Sequence, residues 1–166
     1  MSNPTHWPSW TELRQHPALM LGFGFGSGLA RKAPGTWGTL LGWLLFIPLV
    51  VYAPVVAWLL FGLGLVAGSW ICGRAAELVG VHDHGGIVWD EFVGIWLVLL
   101  LLPDQAWLWW LLAFGLFRVF DIIKPWPIGW LDRHVSGGFG IMLDDLIAAL
   151  FALIGVWIIY ISFFSA

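Results

Sequence analysis

The sequence predicts an all-α protein: a polytopic membrane helical bundle of about five membrane helices, with a short N-terminal interfacial segment. Three observations carry that expectation. Hydrophobic residues make up 60% of the 166-residue chain and charged residues only 10%, against about 25% charged in soluble domains. The apolar residues gather into runs that approach the roughly 20 residues needed to cross a bilayer core. The 14 tryptophans suit a chain that meets the membrane–water boundary repeatedly. The length fits one domain, and residues 1–166 show neither an internal repeat nor a low-complexity linker.

The elements follow in order. The first twenty residues, MSNPTHWPSWTELRQHPALM, lack the basic start and apolar core of a signal peptide. They read as a polar, Trp-bearing lead-in lying at the interface. The first apolar helix covers about Thr39–Ala53 and the second about Pro54–Cys72, joined by a tight turn at Tyr52–Pro54. Gly62, Gly64 and Gly68 in the second permit close helix packing. The third helix runs from about Ile87 to Leu102, and the fourth from Gln105 to Ile123 after a turn at Pro103–Asp104. The fifth covers about Leu143–Phe164. The first and third are short, about 15 residues or roughly 23 Å, so they are expected to be tilted, incompletely spanning or enclosed by their neighbours.

Tracing the chain through five crossings puts residues 1–38, 73–86 and 124–142 on one side. All seven basic residues fall there or at helix ends facing it: Arg14, Arg31, Lys32, Arg74, Arg118, Lys124 and Arg133. The other side carries Asp104 as its only charged residue. Basic residues favour the cytoplasmic face, so the charged side is expected to be cytoplasmic. A net charge of −3 offers no basic field to nucleic acid, and no obligate protein partner is evident. Cys72, the only cysteine, excludes an internal disulfide and a metal centre built from cysteine pairs.

The same tracing brings Asp90, Glu91, Asp121, Asp144 and Asp145 to one membrane face, from three helices. Any one of them suits a helix start, as Asp144 would in a first turn. Five together, beside Arg118 and Lys124, exceed what capping explains, and ionisable groups in membrane helices usually mark function. Carboxylates this close repel unless a cation joins them, and oxygen donors select a hard ion such as Mg²⁺ or Mn²⁺. Arg118 and Asp121 share a helix face, Lys124 follows one turn later, and Arg133 and His134 sit in the next loop. Carboxylates, a divalent ion and adjacent cations are the ingredients of phosphoryl chemistry.

Two further stretches bear on this chemistry. LGFGFGSGLARKAPGTWGT (Leu21–Thr39) reads either as a backbone cradle for an anion or as a Gly-rich connector. In GVHDHGG (Gly80–Gly86), His82 and His84 form an H-x-H pair that would need more partners to bind zinc. Loop stabilisation or support of neighbouring ligands is the favoured reading, with acid–base work the other. The spacing of Cys72 and Arg74 excludes a cysteine-phosphatase loop, and no D-x-D, P-S-G-H or alcohol-phosphotransferase signature is present. What remains is attack by a water activated by a divalent ion. An ion-coupled transporter or channel using the carboxylates is the main alternative, and a non-catalytic lipid binder the second.

At the segments GFGSG, PGTWG, GVHDHGGIVWDEFVG, FRVFDIIKPWPIGWLD and GGFGIMLDDLIA, in that order across about residues 22–150, the chain resembles the phosphatidylglycerophosphatase A family. The resemblance implies a single membrane-embedded phosphatase domain over residues 1–166, packed as a compact bundle around a central helix. It implies a Mg²⁺-dependent, multi-pass enzyme of the bacterial inner membrane, with its active site on the cytoplasmic side. Its substrate would be phosphatidylglycerophosphate, hydrolysed to phosphatidylglycerol and phosphate as the last step of phosphatidylglycerol synthesis. Both lines together assign Asp90, Glu91, Asp144 and Asp145 to the metal. Asp121 would ligate it or orient a ligand. Lys124, Arg118 and Arg133 would grip the phosphate. Asp121 or Asp145 would take the proton from water, and His82, His84 or His134 would protonate the leaving oxygen.

Overall fold

The computed structural model describes residues 7–81 and 84–164. Among these the chain forms eight α-helices and one 3₁₀ turn, with no strand. The helices are α1 (Trp10–Gln15), α2 (Pro17–Gly22), α3 (Pro34–Tyr52), α4 (Pro54–Val79), α5 (Trp89–Leu100), α6 (Trp107–Ile123), α7 (Ile128–His134) and α8 (Gly137–Phe164), and the 3₁₀ turn is Gly24–Leu29. The sequence punctuates them. Ser9 and Glu12 cap α1 reciprocally. Pro17, Pro34 and Pro54 open α2, α3 and α4, where a missing N–H costs nothing. Gly80, at φ 76°, closes α4.

The expectation of about five membrane helices needs correction in count. Three helices are long and apolar enough to cross a membrane: Pro34–Tyr52, Pro54–Val79 and Gly137–Phe163. The helix α5 has 12 residues, about 18 Å, and α6 has 17, about 25 Å, at 1.5 Å per residue. The bounds moved because hydropathy windows stop at glycines and charges while helices do not. Thus α3 takes in Pro34–Gly38, α4 continues through Arg74 and Glu77, and α8 begins at Gly137.

A short α5 is viable because it hardly needs lipid. It packs against α3, α4, α6 and α8, and nine of its residues are buried, including Phe92, Val93, Ile95 and Leu99. Glycines on the surrounding helices make room. Gly38 and Gly42 of α3 lie against Val88 and Phe92, Gly64 of α4 against Trp96, and Gly94 of α5 itself against Phe117 of α6. The large rings then find polar partners beside those glycines. The Trp89 indole N–H donates to the Gly64 carbonyl at 3.2 Å and that of Trp96 to the Gly42 carbonyl at 3.1 Å, which satisfies donors in a dry interior.

Side chains from other elements also satisfy the connection between α5 and α6. The Trp157 indole of α8 donates to the Leu101 carbonyl at 3.1 Å, and Asp104 Oδ1 accepts the Ala106 N–H at 2.8 Å. Irregular backbone at membrane depth is tolerated when protein supplies such partners.

Outside this core the long helices present apolar side chains, among them Leu44, Leu45, Leu59, Leu63, Val66, Ile154, Ile158 and Ile161. An apolar surface this extensive fits lipid rather than water. In the N-terminal lead-in Leu13 is fully buried and Leu19 nearly so, and Phe23 just after it is fully buried, so α1 and α2 pack on the bundle. Trp10 is half-exposed, with the Arg14 guanidinium 5.3 Å from its ring centre, a pairing that suits an interface.

The backbones of α4 and α8 approach closely where they cross. A Cβ at Gly138 would overlap the Ser69 carbonyl and the Gly73 backbone, neither of which can rotate away. Gly138→Ala is expected to destabilise the protein by about 1–3 kcal/mol, the usual cost of overpacking. Thermal unfolding in detergent, followed by near-ultraviolet circular dichroism, measures it.

Candidate active site

The site lies where α5 and α8 begin and α6 ends. Asp90 and Glu91 occupy the first turn of α5, at the positive end of its dipole. Asp121 lies near the C-terminus of α6 and Lys124 caps it. Asp144 and Asp145 project from α8 two turns after its start at Gly137. Asp144 is therefore not a first-turn residue, and a capping role does not explain it.

These side chains wall one cavity of about 110 Å³, lined by Asp90, Glu91, Asp121, Lys124, Asp132, Asp144 and Asp145 with backbone and apolar residues between. Six of the chain's ten acidic residues thus meet in one small space. One carboxylate oxygen from each of Asp90, Glu91 and Asp145 lies within 4.8 Å of the others. Four buried oxygens on its wall, Asp90 Oδ1, Glu91 Oε2, Asp144 Oδ1 and Asp145 Oδ2, have no hydrogen-bond partner. Buried polar atoms are rarely left so, and an all-oxygen set of this kind fits a hard divalent cation.

Two basic side chains approach the acids. Arg118 Nη1 lies 2.6 Å from Asp121 Oδ2 and 3.9 Å from Glu91 Oε1, and donates to Thr39 Oγ1 at 3.1 Å. It thereby ties α6 to α5 and α3 from behind the cavity wall. Gly35 permits this, since a Cβ there would overlap Glu91 Oε1 and stand 3.1 Å from Arg118 Nη2. Lys124 Nζ donates to Asp132 Oδ1 at 2.6 Å and to Asp144 Oδ2 at 2.5 Å. Burial works against the Lys124 charge, but the hydrogen bonds it donates to Asp132 and Asp144 outweigh it and raise its pKa above the ordinary lysine value. The amine therefore stays protonated through neutral pH. Its backbone is left-handed, at φ 45° and ψ 58°, a conformation that costs a non-glycine residue about 1–3 kcal/mol.

The structure thus gathers Asp90, Glu91, Asp121, Lys124, Asp144 and Asp145, with Arg118 behind them. It does not bring the remaining candidates to the cavity wall. Arg133 is exposed on α7. His134 stacks on Trp130, with Nδ1 2.7 Å from the Trp130 carbonyl oxygen. His84 is buried between Trp7 and Phe23, and its Nδ1 accepts the Gly86 N–H at 3.0 Å. This geometry assigns it to holding the loop before α5. His82 falls outside the described residues. The glycines of Leu21–Thr39 also serve packing. Gly28 touches the Gly86 carbonyl and the Gly22 carbonyl accepts the Val88 N–H at 2.7 Å, while none of residues 21–39 is among those lining the cavity. Asp132 is the one charged wall residue that sequence reasoning left out.

Fold and site together define a membrane-embedded hydrolase with an acidic, cation-accepting centre at one end of its bundle. The family model for phosphatidylglycerophosphatase A matches residues 20–160, and the chain belongs to that family. It is 48% identical over 145 residues to phosphatidylglycerophosphatase A of Haemophilus influenzae, covering 87% of this chain and 89% of that protein. The Escherichia coli protein of the same name is 45% identical over 153 residues, 89% of this chain and 78% of that one. A Bacteroides thetaiotaomicron protein provisionally named a phosphatidylinositol-3-phosphatase is 38% identical over 143 residues, 82% of this chain and 89% of that one. No solved structure matches the chain.

Proposed function

We propose that the protein hydrolyses phosphatidylglycerophosphate to phosphatidylglycerol and phosphate, with Mg²⁺ held by Asp90, Glu91, Asp144 and Asp145. The observation that carries the reading is the set of four partnerless buried carboxylate oxygens facing one cavity beside Lys124. The printed names of two relatives supply the headgroup.

The ion would neutralise charge on the phosphoryl group and lower the pKa of the attacking water. The chain's own residues do the rest. Lys124 donates to a phosphate oxygen and offsets the charge that builds there. Asp121 or Asp145 takes the proton from the attacking water, and that proton passes to the departing glycerol oxygen as the P–O bond breaks. Arg118 fixes Glu91 and Asp121 so that neither rotates off the site. The cavity opens at the end of the bundle where Lys124 and Asp132 meet solvent, each about a third exposed. A phosphomonoester headgroup reaches it there while its acyl chains stay in lipid. The basic residues that the sequence assigns to this end support a site facing the cytoplasm at the inner membrane, under the positive-inside rule.

A transporter reading finds no support in the charge distribution. Among the described residues the cavity acids cluster at one end, and the sequence places only Asp104 at the other, where it accepts the Ala106 N–H before α6.

Purified protein in detergent is expected to release phosphate from phosphatidylglycerophosphate with Mg²⁺, and to lose that release on chelation with EDTA. Phosphatidic acid and phosphatidylinositol-3-phosphate in parallel reveal how strictly the headgroup is chosen. Absence of release with every divalent ion would exclude the proposal.

A further inference from the structure

Lys124 is held by two carboxylates that differ in burial. Asp144 is buried on α8, whereas Asp132 is a third exposed on α7. An ammonium has three donors. Two go to Asp132 Oδ1 and Asp144 Oδ2, which leaves one for an incoming group.

The fold spends a whole segment on bringing Asp132 here. The chain leaves α6 through left-handed Lys124, and the Ile128 N–H returns to the Pro125 carbonyl at 2.7 Å. Gly129 then packs on the Lys124 carbonyl, where a Cβ would approach to 2.7 Å, and Ile128 is fully buried. These contacts anchor α7, so that Asp132 lies back against the side chain of the residue eight positions before it.

We infer that Asp132 is a positioning residue, which holds the Lys124 ammonium at the cavity rim with one N–H directed to a phosphate oxygen of the substrate. The inference rests on the lipid-phosphatase reading. A lysine stem is flexible and its head is a point charge. With Asp144 as its only partner, that head would turn away from the mouth toward Asp144 and direct no N–H at the substrate phosphate. Asp132, the more exposed of the two, holds the head toward the mouth. Neither it nor Asp144 is among the three acids whose oxygens converge, but Asp144 carries a buried oxygen without a partner.

The test is a mutant cycle on the full-length protein in detergent, with phosphatidylglycerophosphate as substrate and folding checked by thermal unfolding. Asp132→Ala is expected to lower kcat about tenfold with KM changed less than about threefold, as loss of an interaction made mainly in the transition state. Asp132→Glu, which restores the carboxylate, is expected to recover most of that loss. Lys124→Ala is expected to cost about a hundredfold, and adding Asp132→Ala to it to change kcat by less than about twofold, because the second residue acts only through the first. The Mg²⁺ concentration for half-activation should stay within about twofold of wild type in Asp132→Ala, far less than loss of a ligand or its support brings.

Multiplicative losses in the double variant would overturn the inference, and so would a Mg²⁺ requirement raised about tenfold or more, since Asp132 would then act on its own or on the metal. Wild-type protein inactive on every phosphomonoester lipid removes the lipid-phosphatase reading and this inference with it. An active wild type with independent losses removes this inference alone.

Discussion

Asp145→Asn is expected to reduce phosphate release by about a thousandfold or more while making the metal-free protein more stable. The two effects share one cause. Asp145 is 3% exposed, its Oδ2 has no partner, and it sits with Asp90 and Glu91 in one converging group. Two unit charges about 5 Å apart repel by on the order of 3 kcal/mol at the effective dielectric of a protein interior. Asparagine keeps the shape, removes one such charge and adds an amide donor for a neighbouring carboxylate. The metal-free fold should therefore gain about 1–3 kcal/mol, within that bound. The wild type should instead be stabilised by the ion, by about 2.7 kcal/mol at a hundred times the dissociation constant. The variant should show little of that shift. Thermal unfolding with and without Mg²⁺, beside the phosphate assay, reads all of this. A variant with wild-type turnover, or with an undiminished metal shift, would remove Asp145 from the ion.

Arg118→Met is expected to lower stability by about 3–5 kcal/mol, the usual cost of stripping one partner from a buried ion pair. The guanidinium is only 12% exposed and serves Asp121, Glu91 and Thr39 together. Its loss leaves two carboxylates facing the cluster without compensation. Methionine fills much the same volume, which limits the packing loss. A divalent ion would restore part of the missing positive charge, so Mg²⁺ should recover more stability in this variant than in the wild type. Equal recovery in the two proteins would show that Arg118 acts by packing rather than by charge.

The class of fold and the turns between α3 and α4 and between α5 and α6 were legible because lipid exposure leaves a strong hydropathy signal. The central place of α5 was not. WDEFVGIWLVLL is as apolar as a lipid-facing run, and only the facing Gly38, Gly42 and Gly64 reveal that protein encloses it. The extent of α8 was missed for the opposite reason: GGFG reads as a loop, yet its glycines are there because Gly138 lies against the α4 backbone. In the site, Asp90, Glu91, Asp121, Asp144 and Asp145 stood out as acids bordering apolar runs. Asp132 did not, because in WLDRH it reads as half of a solvated pair with Arg133. Successive residues on a helix point about 100° apart, so in a segment as short as α7 one neighbour meets Lys124 and the next faces outward. Sequence supplies the residue types there, but the turn at Lys124–Ile128 decides which one is used.

The brevity of α5 bears on how such a chain is assembled. Its two leading acids stay at the end of the bundle where the basic residues collect, so neither need be carried through hydrocarbon. Its walls come from α3 and α4, made before it, and from α6 and α8, made after it. The acidic cavity is therefore completed last, when α8 arrives with Asp144 and Asp145, and a chain released before that step would have lipid-compatible helices but an unfinished cavity.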